Sequence, residues 1–330
     1  MKKMLLSLFL ISIFAAMSSA QDLPCEKVVS YQINARLDAV EKTVSGDMVL
    51  NWTNTGTAAT QELYFHLYLN AFKNTQSTFF KEIAKRGDYG NRLISRFQKG
   101  GWGYCHIETI SASNTKFQST ALSPVFVQPD DNNKADETVF KVDLPEPVAP
   151  GESVTLNISF LSQLPHRAPR TGYNEDYFFV AQWFPKIGVW QNDTWHCNQF
   201  HALGEFFADY GDYDVQLTVP SEFVVGACGV KTDSTSNNDG TITHRFQEQC
   251  IHDFAWTAWP QFKTATRLFE HPELPTVKMQ LLYQPEHQRY VDDFFGGTEN
   301  TLKYLGLWYV PYPYSTITIV DARWRSSSSG

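Results

Sequence analysis

Long apolar runs are scarce in this sequence. The one that opens the chain, residues 4–17, is about 14 residues long where a helix crossing a bilayer needs roughly 20. With Lys2 and Lys3 before it and Ser18-Ser19-Ala20 after it, residues 1–20 read as a cleaved secretory signal and not as a membrane anchor. The mature chain is expected to begin near Gln21, exported to the periplasm or beyond and without a stable membrane anchor. Cys25 follows Leu23-Pro24, which does not look like a lipoprotein attachment site. Basic charge is also in deficit: 27 Lys and Arg stand against 35 Asp and Glu, a net charge of −8. No basic stripe is left to hold phosphates, so nucleic acid is excluded as a partner. No G-x-S-x-G elbow is present, no two His stand one helical turn apart, and no segment repeats.

Cysteine is sparse too, with five in 330 residues. Export makes them disulfide candidates, and the odd count leaves at least one outside any internal pair. Residues 224–230 and 241–249 read as two strands around the polar turn 234–240. In a hairpin centred near residue 239, Cys228 and Cys250 fall roughly opposite each other, which favours a cross-strand disulfide; two free thiols are the alternative. For Cys25, Cys105 and Cys197 the sequence does not choose.

What is present is mostly strand and turn. Residues 28–40 and 44–53 alternate apolar and polar side chains around Glu41-Lys42, as an antiparallel pair with one wet face does. Residues 62–72 read as a third strand covered on both sides. From 74 to 103 the alternation fails among glycines and mixed charges, which suggests a long surface insertion with one short helix near 80–85. Alternation returns at 104–111, 138–144 and 154–161, and the expectation is a large antiparallel sandwich or saddle. After 277–283 the character changes. Residues 286–308 carry apolar side chains near helical spacing, then 315–320 form a β-branched strand, so a new α/β unit begins. Residues 270–275, with two prolines, read as the linker before it. The domains expected are thus 21–270, a β domain, and 271–330, the incomplete start of another.

Aromatic residues crowd the stretch 177–217. Rings are core material first, but here they also suggest a wall of a ligand cleft. Trp183, Trp190 and Trp195 would be the candidates if the domain stacked sugars. His196, Cys197 and His201 form the best local cluster of metal-ligating types, yet no paired Cys motif accompanies them and no ligand is assigned. Asp212 and Asp214 alternate onto one side of a strand start; as turn and cap carboxylates in water they need no catalytic role.

Several short runs carry a resemblance. Ala181-Gln182-Trp183-Phe184-Pro185, Gly204-Glu205-Phe206-Phe207, Tyr210-Gly211-Asp212-Tyr213-Asp214-Val215, His252-Asp253-Phe254-Ala255-Trp256 and the terminal 314–330 resemble the bacterial branch of the gluzincin zinc aminopeptidases, the metallopeptidases related to aminopeptidase N. The resemblance covers nearly all of the mature chain and concerns the amino-terminal portion of that family. It implies an antiparallel β domain followed by the start of a thermolysin-like catalytic domain, zinc as cofactor in the full-length enzyme, and peptides as substrates cut at a free amino end. The family's H-E-x-x-H with a more distant Glu is absent from these residues, so the chain as given is expected to be catalytically silent. By the same resemblance Gln182 would reach across the domain interface to help hold the substrate's free amino terminus. An amide oxygen accepts from an ammonium, and a rigid strand fixes where it does so. Gly330 would be the first glycine of the Gly-rich segment that binds the substrate backbone. Two rival readings stay open: a β-sandwich binding module for protein or glycan, and a metal-free scaffold derived from the enzyme.

Overall fold

The computed structural model describes residues 25–323. The signal read at 1–20 and Gly330 lie outside the described residues. Val29–Asp38 buries one face through Val29, Tyr31, Ile33, Ala35 and Leu37, the period of two that a half-buried strand requires. Thr43–Thr53 does the same with Val44, Met48, Leu50 and Trp52. The turn between them is held by Asp38, whose Oδ1 accepts from the backbone N–H of Val40 and Glu41, both at 2.9 Å. This pair forms the middle of an eight-stranded sheet in the order 230–236, 241–251, 211–220, 29–38, 43–53, 153–163, 104–113, 120–121. Neighbours run antiparallel except 29–38 and 211–220, which are parallel.

Besides a two-stranded ribbon of 189–191 and 194–196 and a three-stranded sheet near the end of the described chain, two four-stranded sheets pack with it. One has the order 224–227, 256–259, 177–180, 172–174, the other 186–187, 60–66, 139–148, 125–126. Side chains from these three larger sheets, among them Trp52, Phe65, Phe140, Phe160 and Trp256, share one apolar core with Trp183 of the loop after 177–180. The protein is mainly β and mostly antiparallel, as the alternation predicts.

The stretch 74–103 differs from expectation. It folds as two helices, α1 (Thr78–Ala84) and α2 (Gly87–Gln98), and it is no surface excursion. Phe79, Phe80, Ile83, Leu93 and Phe97 are buried, packed against Phe72, Trp102 and Phe200. Ser77 caps α1 by accepting from the Phe80 N–H at 3.3 Å. Gly90 lets α2 cross α1 closely, since a Cβ there would stand 2.0 Å from the Ile83 carbonyl oxygen. The apolar residues had helical spacing, hidden by the glycines between them.

The helix and strand expected near the end are present. Lys263–His271 and Leu274–Tyr283 pair antiparallel, and Thr316–Val320 joins the latter in parallel through the crossover helix α3 (Val291–Trp308). Phe269, Val277, Met279, Leu281, Phe295 and Leu302 form a separate apolar cluster there. Residues 270–275, read as a linker, are instead the turn of the 263–271/274–283 hairpin, where the His271 ring accepts from the Glu273 N–H at 3.2 Å. Proline and polar residues marked a turn, and the turn joins two strands of one sheet.

The expected Cys228–Cys250 disulfide is overturned. Cys250 is bonded to Cys25, with Cα atoms 6.0 Å apart, and Cys228 is free. The strand read as continuous over 224–230 changes sheets at Cys228: Val224–Ala227 belongs to a four-stranded sheet and Val230–Ser236 to the eight-stranded one. Gly229, with φ +78°, makes the switch. Cys228 is thereby tied to Ala255, donating its N–H to that carbonyl at 3.0 Å and accepting the Ala255 N–H on sulfur at 3.4 Å. At the other end the ladder between 211–220 and 241–251 is irregular next to Gly211, and Cys250 takes φ +55°. Such a bulge breaks the alternation that the hairpin argument relied on.

Candidate functional site

Gln182 stands just past the Tyr177–Val180 strand, and its neighbours are fixed. The Ala181 N–H donates to Thr171 Oγ1 at 3.3 Å, the Trp183 indole donates to the Phe254 carbonyl at 3.0 Å, and Ser162 donates to the Trp183 carbonyl at 2.5 Å. Between these ties Gln182 adopts φ +56°, a left-handed conformation uncommon for a residue with a side chain. Backbone strain of this kind persists where the surroundings over-determine it, and it gathers at functional positions. Gln182 is only 9% exposed, and its side-chain amide is not among the buried polar groups left without a partner. A carboxamide, with one acceptor oxygen and two N–H donors, is of the chemical type that takes an ammonium or a peptide group.

Around it the chain buries charge. Lys186, 2% exposed, pairs with Asp253 at 3.4 Å and donates to the His252 carbonyl. Burial pushes the Lys186 ammonium below the ordinary lysine range, while the Asp253 charge opposes the shift. His252 is likewise lowered, by burial first and by Lys186 second. Asp209 is pushed up to about 6, by burial and then by the Glu26 charge, with Lys186 acting against both. The sequence reading missed this group. A lone Lys inside the apolar run Trp183-Phe184-Pro185-Lys186-Ile187 was the signal, because an isolated charge in a buried strand needs a partner.

Two cavities open on this part of the molecule, and Gln182 lines neither. One, of about 530 Å³, lies between Phe179, Trp256, Cys228, Glu248 and Tyr314. Burial raises the Glu248 carboxyl above its ordinary range. The other, of about 420 Å³, lies between α1, α2 and residues 198–207.

The remaining sequence candidates are dispersed. His201 places Nδ1 2.8 Å from Glu82 and Nε2 3.2 Å from Asp130. Cys197 is buried, its thiol pushed up by burial, and His196 sets its ring edge-on to Phe207. Among the described residues no three His, Cys, Asp or Glu side chains are placed to hold a metal ion. No zinc ligand is assigned among the described residues, and no chemistry is derived through that metal. Asp214 is a structural carboxylate, gripped by Arg245 at 2.8 and 2.5 Å, and Asp212 accepts the Cys250 N–H at 3.2 Å. Of the sugar-stacking candidates, Trp183 is fully buried. Trp190 and Trp195 are half-buried and pack on each other 5.3 Å apart, with Trp195 also against Trp52.

No protein-family model matches the chain, and no curated protein matches it by sequence. Solved structures do match. An M1 zinc metallopeptidase from Deinococcus radiodurans superposes with a TM-score of 0.57 at 14% identity. A mutant of a two-domain M1 zinc metallopeptidase bound to L-tryptophan gives 0.58 at 16%. The fold is that of M1 zinc metallopeptidases. Each match covers 91% of this chain and 57% of the other, so the chain spans a little over half the length of these M1 structures. A Deinococcus radiodurans M1 mutant bound to a Tyr-Ser-Ala substrate also matches, at 15% identity and 0.57. At such identity the likeness carries the M1 fold alone. Among the described residues no helix is long and apolar enough to cross a membrane.

Proposed function

We propose that this chain is the amino-terminal part of an exported, zinc-dependent aminopeptidase, a β domain followed by the start of its catalytic domain, with the boundary expected at 270/271 moved ahead of the hairpin that begins at Lys263. The support is the M1 fold over 91% of the chain together with Gln182, nearly buried and held in a left-handed backbone conformation. In this reading the Gln182 amide oxygen accepts from the free amino terminus of a peptide, and Gly330 opens the segment that lies along the substrate backbone. Zinc is assigned to no residue of this chain.

The test is to read the coding region past Gly330, express the whole protein and assay an aminoacyl-4-nitroanilide with and without a chelator. Chelator-sensitive release of the amino-terminal residue is expected, with KM raised about tenfold by Gln182→Ala as one charge-assisted contact is lost. A stop codon directly after Gly330, or a zinc-free and inactive whole protein, would refute the hydrolase reading. An active enzyme indifferent to Gln182→Ala would remove Gln182 from the site and leave the rest standing.

A further inference from the structure

The cavity between α1, α2 and residues 198–207 has features that packing does not explain. Its volume is about 420 Å³, and Phe79, Ile83 and Phe206 give it apolar faces. Two arginines line it. Arg170 is occupied: it donates to Glu205 at 2.9 and 3.2 Å and lies 5.3 Å from the Phe206 ring centre. Arg86 is not. It is exposed, and no ion pair, side-chain hydrogen bond or ring contact with another described residue is found for it.

Deeper in the wall is Tyr68, 3% exposed, its ring edge-on to Phe206 at 4.8 Å and its hydroxyl without a hydrogen-bond partner. His66, stacked on Tyr68 at 4.5 Å, lines the same cavity. Neither of its ring nitrogens makes a hydrogen bond of good geometry, although the Asn198 carbonyl lies near enough to act on the ring. Buried hydroxyls and imidazoles are seldom left so, because each has given up water for nothing. The cavity is also held open by its own frame. Glu82 of α1 accepts the Ala202 N–H at 2.7 Å and holds His201 at 2.8 Å, and Asp130 takes the other side of that ring. Segment 198–207 is thus pinned against α1 without filling the space.

We propose that this cavity binds a small carboxylic acid with an apolar or aromatic body, its carboxylate on Arg86, its body against Phe79, Ile83 and Phe206, and a polar atom taking the Tyr68 hydroxyl. A single free guanidinium suits a monocarboxylate, which it can hold through two parallel hydrogen bonds. A phosphate dianion would ask for more positive charge than one unpaired Arg supplies, and an amine would meet Arg86 head-on. The volume suits a molecule of amino-acid or dipeptide size.

The test uses 3-phenylpropionate as probe and 3-phenylpropylamine as control, each titrated into the mature chain by calorimetry, with saturation-transfer NMR on the ring protons. The acid should bind one to one and the amine should not. Arg86→Ala, an exposed position whose loss leaves the fold intact, should weaken the acid about tenfold. Tyr68→Phe should weaken it severalfold while raising the thermal midpoint of the unliganded chain, because it removes a hydroxyl buried without a partner. Equal binding of acid and amine, unchanged affinity in Arg86→Ala, or no binding at millimolar probe would each overturn the proposal.

Discussion

Replacing Cys25 by serine should cost the protein several kcal/mol, all of it through the unfolded chain. The bond to Cys250 closes a loop of 225 residues. Loop-closure entropy for that length amounts to about 5 kcal/mol at 25 °C, a ceiling that a compact unfolded ensemble lowers toward roughly 2–5. The substitution leaves buried Val28 and its hydrogen bond from the Thr53 N–H in place, so the effect reads chiefly the cross-link. Cys228→Ser is the internal control. Its thiol only accepts the Ala255 N–H at 3.4 Å, a task a hydroxyl can perform, and the expected change is below about 1 kcal/mol. Urea unfolding under non-oxidising, non-reducing conditions, followed by emission of the nine tryptophans, reads both. A Cys25→Ser midpoint equal to that of the parent, or a Cys228→Ser loss as large as the Cys25→Ser loss, would show that the reasoning has the wrong cross-link.

Gly46 faces Phe160 across the 43–53/153–163 ladder, and a Cβ there would stand 2.4 and 2.7 Å from ring atoms. Gly46→Ala should therefore cost about 1–3 kcal/mol, and the double variant with Phe160→Leu should lose less than the sum, measured as a double-mutant cycle. His201 is drawn down by burial, but hydrogen bonds and charge from Glu82 and Asp130 outweigh this and raise it. A raised folded value means stability fully present below the unfolded pKa of about 6.5 and lost as pH climbs through the folded one. His201→Gln should abolish that decline, which partial exposure limits to roughly 0.5–1 kcal/mol; denaturation midpoints at pH 6 and pH 9 decide it. Asp209, pushed up to about 6, has the opposite bearing for a carboxyl. It loses stability as pH rises from about 3.8 through 6. Asp209→Asn should gain on the order of 1–2 kcal/mol at pH 7 and nothing at pH 3.5, and a gain equal at both pH values would refute the assignment.

Local pattern made the strands legible. The alternation at 28–40 and 44–53 became Val29–Asp38 and Thr43–Thr53, because a half-buried sheet imposes its period on each residue separately. The α/β character after residue 277 was visible for the same reason. What escaped was whatever depends on distant chain. Cys25 meets Cys250 and Lys186 meets Asp253, and no spacing rule reaches so far. The helical hairpin at 78–98 was masked by glycines whose purpose, close approach of α2 to Ile83, exists only once both helices do. Gln182 could be singled out by resemblance, but its left-handed backbone and near burial are properties of its surroundings and leave no mark in the letters around it.

The parallel pairing of the first strand carries a consequence for how the protein is made. Residues 29–36 lie beside 211–218 on one edge and against the 43–53 strand on the other. During synthesis the second pairing can close as soon as residue 53 emerges, whereas the first must wait for more than 150 further residues. The Cys25–Cys250 bond waits longer still. Through that interval the centre of the main sheet is a frontier, an open row of N–H and C=O groups able to recruit any stray strand. Nascent chains halted before residue 220 are thus the form of this protein most in need of a chaperone's cover.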